Sequence, residues 1–293
     1  MDLFNTLVKP ILLYGSDYWG CLKPPANNPI ENLYMSFCKQ LLGVHKTTTN
    51  VGVLLELGLA PIKLNAQKAS IKNWERIKDS KANMLLTSSY KNSVSESLTW
   101  TSTIENALEK AGMGDKFIGE SIPTKTVHNE FYKRNKDIFN QDAFSAIQND
   151  TSKLRTYALF KEENEMEKYL SIKNIKHRTS LTRFRLSNHK LMIEKGRHGN
   201  LKPHERLCQV CKDCIEDETH FLITCPLYET LRKPVLDYCN SVKSNFQFYT
   251  DKEKLYFIMT SETLLGDVAK FVHDGFQKRD EYLVQQSLTP SSI

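Results

Sequence analysis

Cys208-Gln-Val-Cys211-Lys-Asp-Cys214-Ile-Glu-Asp-Glu-Thr-His220-Phe-Leu-Ile-Thr-Cys225 is the stretch on which the reading of this chain turns. Its spacing, C-x2-C-x8-H-x4-C, is that of a small tetrahedral zinc module. A two-residue gap lets both cysteines of one knuckle face a single ion, and the loop that follows returns the second pair. The expected ligands are Cys208, Cys211, His220 and Cys225. Three thiolates and a neutral imidazole leave bound Zn2+ at a net charge of −1, which Arg206 and Lys212 would offset. Four protein ligands close the coordination sphere, so the site reads as structural and not catalytic. Two substitutes stand nearby: Cys214 in place of Cys211, and His204 before Cys208. Asp217 and Glu218 precede His220 where a short helix would start, a place its dipole favours for acids.

Outward from this stretch, the charge is uneven. Residues 171–212 carry eleven Lys or Arg against Glu194 and Glu205, a window of +9 in a chain of net +6, so the remainder sums to −3. A basic block beside a zinc module is the electrostatic footprint expected of phosphate binding, with RNA or DNA as partner. The candidate contacts are Lys176, Arg178, Arg183, Arg185, Lys190 and Arg197. Phe184 among them has two readings, a base-stacking ring or a core residue. A solvated basic face is the plainer alternative for the block as a whole.

The cysteine count is seven, an odd number, and the chain opens Met1-Asp2-Leu3-Phe4 without the basic start of a secretory leader. Both points favour metal ligation over disulfides and an intracellular setting, nucleus or cytoplasm. The longest apolar run, Ile11 to Tyr14, is far too short for a bilayer, so no membrane association is expected.

Periodicity reads as mainly α, an irregular multi-helix assembly with a small zinc-stabilised module near residues 204–228. Apolar residues recur at helical spacing over 3–14, 30–43, 50–58, 61–78, 98–111, 124–148, 152–170, 227–243 and 251–275. Asn28 is placed to cap the second of these, and Pro61 to start the fourth. Residues 79–97, rich in Ser, Asn and Lys, read as a weakly ordered connector, and the tail from Ser287 as disordered. Short strands are expected only around Arg206 to Val210. Four regions result: 1–78, a connector over 79–170, the basic segment with its zinc module over 171–232, and C-terminal helices over 233–293.

The residues now carry a resemblance. Thr179-Ser-Leu-Thr-Arg183-Phe-Arg185-Leu-Ser-Asn-His189, then Glu194-Lys-Gly196-Arg197, Arg206-Leu-Cys208-x2-Cys211, and Thr219-His220-Phe221-Leu222-x2-Cys225-Pro226-Leu-Tyr228 resemble the C-terminal region of non-LTR (LINE-type) retrotransposon reverse transcriptases. Val8-Lys-Pro-Ile-Leu-Leu-Tyr14-Gly15, Trp19-Gly20, and Gly43-Val-His45-Lys-Thr-Thr-Thr-Asn50 resemble the segment that follows the polymerase core there. The resemblance runs to about residue 232. It implies a module that sits beside a polymerase and holds RNA or a DNA target. The polymerase of such proteins needs an aspartate pair and a third carboxylate to hold two metal ions. This chain has no Asp-Asp dipeptide, and its first residues already match sequence beyond the core. The resemblance therefore implies a chain that is not an enzyme by itself. Asp17 and Glu56 are expected in structural or solvated roles. The scattered acids after Cys225, such as Asp251 and Asp267, do not form a nuclease cluster. The competing expectation is a zinc-stapled helical scaffold or protein-interaction module without nucleic acid, or a non-functional remnant of a mobile element.

Overall fold

A computed structural model describes residues 3–24, 28–80, 83–118, 126–149 and 152–288. The protein is mainly α, and among the described residues strand pairing is confined to isolated bridges, Leu57 with Met166 and Leu207 with Ile215. No helix among these residues is long and apolar enough to cross a membrane.

In chain order, a π turn at Phe4–Val8 runs into α1 (Lys9–Leu12), followed by α2 (Ser16–Trp19), α3 (Pro29–Leu42), α4 (Asn50–Glu56) and α5 (Ile62–Lys78). Then come α6 (Met84–Ser95), α7 (Thr99–Lys110), α8 (Gly114–Ile118) and α9 (Val127–Gln148). The rest holds α10 (Ile175–Arg185), α11 (Met192–His198), α12 (Glu229–Val242), α13 (Asp251–Thr260) and α14 (Leu265–Leu288). Two compact units result. One comprises Met1–Phe37 and Ala60–Ala143, and the other Cys38–Leu59 and Phe144–Ile293.

The first unit is built on Trp74 of α5, which is fully buried among Ile71, Ile104, Leu108, Met113, Phe117 and Phe131. Its indole N–H, which burial would otherwise orphan, donates to the Tyr90 hydroxyl of α6 at 3.0 Å. That bond and the Asn83 side chain, which accepts from the Leu86 N–H at 3.1 Å, hold a helix where composition alone suggests a connector. Gly20 is dictated by close approach: a Cβ there would lie 2.0 Å from the Ala66 carbonyl oxygen, so α2 can lie against α5 only without a side chain.

In the second unit α10 packs along α14, and the aromatic rings between them form its centre. Phe221 meets Phe276 at 4.7 Å, Tyr228 at 4.5 Å, Phe184 at 5.5 Å and Phe271 at 5.6 Å. Gly275 makes the room, since a Cβ there would stand 2.8 Å from Phe221 Cζ. Phe184 is therefore core and not a base-stacking ring, at 1% exposure.

Besides residues 79–97, three expected elements differ from those observed. Residues 152–170 are not one helix but two short 3-10 turns, Tyr157–Leu159 and Lys168–Ser171. The acid-rich run between them leaves helical geometry to pair with the end of α4, where the Glu167 N–H donates to the Glu56 carbonyl at 3.1 Å. Residues 251–275 break at Ser261, whose backbone is extended, and Leu264 and Leu265 turn into the core where α14 starts. The strand expected around Arg206 to Val210 shrinks to the single Leu207–Ile215 bridge. The other helical spans agree to within a few residues, including the Asn28 cap, whose Oδ1 accepts from the Ile30 N–H at 3.1 Å. Of the tail expected to be disordered, residues 289–293 lie outside the described residues, and Ser287 and Leu288 close α14.

Candidate metal centre

The knuckle forms because the Leu207–Ile215 bridge closes a short loop. The Cys208 N–H donates to the Cys214 carbonyl at 2.8 Å, and the Lys212 N–H to the Cys208 carbonyl at 2.9 Å. Lys212 turns the chain back at a φ of 63°, a left-handed conformation uncommon for a residue with a side chain. Inside the loop the Val210 N–H points at Cys208 Sγ, 3.4 Å away, a donor that favours a thiolate. The chain returns through a π turn, His220–Thr224, and the Cys225 N–H donates to the His220 carbonyl at 2.9 Å. The buried guanidinium of Arg232 donates to the carbonyls of Ile223 and Cys225 and fixes that end.

Cys208 Sγ lies 4.0 Å from Cys225 Sγ, and Cys211 Sγ 3.4 Å from His220 Nε2. The ligand atoms of Cys208, Cys211 and His220 all lie within 4.8 Å of one another. Zn–S bonds of about 2.3 Å and a Zn–N bond of about 2.0 Å in a tetrahedron place sulfurs roughly 3.8 Å apart and sulfur from nitrogen roughly 3.6 Å apart. The separations observed are near those edges. This group of three can hold a metal ion; Cys225, the fourth expected ligand, stands beside Cys208 but outside the mutually close set. His204 and Cys214 are exposed, and neither belongs to the cluster.

The imidazole is oriented for the task. His220 Nδ1 meets Thr224 Oγ1 at 2.9 Å, which, with the proton on Nδ1, leaves the Nε2 lone pair toward the sulfurs. Between the two buried sulfurs the hydrogen bond pushes Cys208 up to about 11, with burial adding to the shift, and lowers Cys225. Zinc binds thiolates, so an entering metal would displace the protons these cysteines carry.

Of the acids expected at a helix start, Asp217 keeps that place and Glu218 does not. Glu216 and Glu218 turn inward at 1% exposure each, while Asp217 Oδ1 caps the His220 N–H at 2.7 Å. Glu216 takes a two-pronged contact from Arg279 of α14 at 2.7 and 2.8 Å and the Met192 N–H at 2.8 Å. Glu218 accepts from Thr156 at 2.8 Å, His189 at 3.0 Å, and Arg155 and Ser187 at 3.1 Å. Burial alone would raise the Glu218 carboxyl. Hydrogen bonding and charge from His189, with the charge of Arg155, outweigh it and hold the group at about 2. Its folded value lies below the ordinary carboxylate range, so its contribution is fully present above pH ~4.5 and is lost as pH falls toward 2. Acid titration followed by tryptophan-independent probes, such as amide exchange of residues 216–222, is expected to show this loop opening between pH ~5 and ~2. The variant Glu218→Gln is expected to flatten that transition. An equally steep transition in the variant would remove Glu218 as its cause.

The basic block divides. Lys173, Lys176, Arg183, Lys190, Lys195, Lys202 and Lys212 are exposed. Arg178 is half-buried, donating to the Leu170 and Ile172 carbonyls, and Arg197 lies 3.6 Å from Glu194. Arg183 donates to the Gly43 carbonyl at 2.8 Å while remaining exposed. Arg185 is a correction: at 2% exposure it is a core residue and cannot meet phosphate. Its guanidinium bonds Glu56 at 2.7 Å and Glu167 at 2.8 Å and lies over the Phe160 ring, 4.7 Å from its centroid. Glu56, fully buried, also accepts from the hydroxyls of Tyr157 and Tyr169, a structural role as expected. A cleft of about 520 Å³ brings Lys153 and His45, from outside the sequence block, beside side chains of the block. Lys190 and Lys195 line it with His45, Lys153 and His198, opposite Asp280 and the paired Glu194.

No protein-family model, curated protein or solved structure matches this chain.

Proposed function

We propose that this chain is a nucleic-acid-binding, zinc-containing module of the kind that follows the polymerase core in non-LTR retrotransposon reverse transcriptases, and that it is not an enzyme by itself. Zinc is the ion that suits three thiolates and an imidazole in a closed tetrahedron, and its role here is to hold the 207–228 fold. The observation that carries the nucleic-acid reading is the cation-lined cleft beside the basic segment. Lys153 and Lys195 have no ion-pair partner among the described residues, and Lys190 has only an exposed one, Asp280 at 3.5 Å. Cations left without carboxylate partners around a concave surface attract phosphate and release counterions on binding. Among the described residues no helix is long and apolar enough to cross a membrane.

Affinity for a short RNA or DNA duplex is expected to fall steeply between about 50 and about 200 mM salt. The double variant Arg183→Glu/Lys190→Glu is expected to weaken binding roughly 10- to 100-fold and to reduce the salt slope by about 2, with zinc content unchanged. Binding that ignores salt, or a double variant with the parent's affinity, would leave the scaffold reading in its place.

A further inference from the structure

Away from the cysteine centre, His177 of α10 and His273 and Asp274 of α14 come together, and one ligand atom from each lies within 4.8 Å of the other two. All three are half-buried, open enough for an ion to enter and close enough to neighbours to be held. The two imidazoles stand 5.3 Å apart, centroid to centroid, inclined at 43°. Ser180, three residues after His177, contacts His273 Nδ1 at 3.1 Å. When Nδ1 donates its proton to that hydroxyl, the lone pair of His273 lies on Nε2, the arrangement typical of a metal-bound imidazole with an outer partner.

The partners these groups lack are as informative as those they have. The Asp274 side chain makes no ion pair and no hydrogen bond among the described residues, although Lys270 and Lys278 lie four residues away on either side. Lys278 reaches Thr230 instead, at 3.5 Å. The His177 ring has His273 as its ring contact and no side-chain hydrogen bond among the described residues. Packing α10 against α14 fixes the spacing of these positions, because neither helix can move without disturbing the Phe184–Phe221–Phe276 rings.

We propose that His177, His273 and Asp274 form a second metal centre, one that takes a divalent transition ion of the zinc class. Two imidazoles and a carboxylate suit such an ion better than Mg2+ or Ca2+, which prefer oxygen donors throughout. Bonds of about 2.0–2.2 Å need donors roughly 3.3–3.5 Å apart, so side-chain rotation of about 1 Å closes the set. Three protein ligands leave coordination positions for water or another oxygen donor, which the four-ligand cysteine centre does not. This centre stands independently of the nucleic-acid reading.

The test is metal titration of the full chain after chelator treatment. The parent is expected to bind two equivalents of Zn2+. His177→Ala/His273→Ala is expected to bind one, and with Co2+ in place of Zn2+ that variant should keep the thiolate charge-transfer band of the cysteine centre. Asp274→Asn, which keeps the side-chain shape, is expected to weaken the second equivalent by more than the roughly 10- to 100-fold typical of losing an outer partner. Cys208→Ser/Cys225→Ser is expected to retain the second equivalent. A parent that binds only one equivalent overturns the proposal. So does an Asp274→Asn variant with unchanged affinity, or a folded His177→Ala/His273→Ala variant that still binds two.

Discussion

Arg185→Met is expected to destabilise the second unit by about 3–5 kcal/mol, the typical cost of leaving a buried charge without its partner. Arg185 is the countercharge for Glu56, whose carboxylate is fully buried, and it also pairs with Glu167. Burial opposes the charge on Arg185, and the carboxylates of Glu56 and Glu167 more than compensate. The same burial, with the negative charge of Glu56, keeps the Tyr157 and Tyr169 hydroxyls protonated well past their ordinary range, so both remain donors to Glu56. Methionine fills much of the volume but supplies neither charge nor donors. The loss is a large share of the ~5–15 kcal/mol that holds a typical domain together. Urea unfolding of the parent and variant measures it. The double variant Glu56→Gln/Arg185→Met removes both charges, and the amide oxygen it introduces can still accept from the two tyrosines, so it is expected to recover a good part of the loss. A single variant as stable as the parent would mean the pair contributes nothing. A double variant no better than the single would place the cost in lost packing.

The second large effect is expected from Cys208→Ser/Cys225→Ser. Each serine replaces a soft thiolate with a poor zinc ligand, so one equivalent of metal should be lost. Structural zinc in isolated finger peptides carries an apparent ~10–16 kcal/mol, all of which is folding free energy there. Here Glu216 and Glu218 hold the returning loop by contacts that involve no metal. The damage should therefore be local. Amide protection is expected to collapse over 207–214 and 220–226, while the α10–α14 core keeps its own. Metal content by elemental analysis and amide exchange by mass spectrometry read the two effects separately. Full metal content in the variant would show that the ligand set is wrongly assigned.

How much of this was legible in the sequence follows from the range of the forces involved. Helices carried by local periodicity were readable: Pro29–Leu42, Ile62–Lys78 and Glu229–Val242 all fall close to their expected spans. So was the Cys208, Cys211 and His220 cluster, because knuckle spacing is a local constraint, whereas Cys225, the fourth expected ligand, lies outside that cluster. Arg185 shows the limit. Within its own segment it is one of several cations, and Glu56, 129 residues earlier, with Glu167 and the Phe160 ring, takes it out of solvent. Residues 152–170 fail for the same reason, since the edge that draws them out of helical form belongs to α4. Glu218 looked like an ordinary first-turn acid, and Glu216 carried no expectation. Their alternation with Asp217 was the available signal, but it does not reveal Arg279, 63 residues on. The cleft joins Lys153 and His45 to the basic block through tertiary folding alone.

The division of the chain also orders its birth. The second unit uses residues 38–59 and then nothing until 144, so its early strip emerges from the ribosome long before its partners. At about 5–20 residues per second, Glu56 waits on the order of ten seconds for Arg185 to be made. Through that interval Val53, Leu54 and Leu55, all destined for the interior, have only the 38–59 strip of their own unit to bury against. The nascent strip from 50 to 59 is therefore where a holding chaperone would be most needed during synthesis.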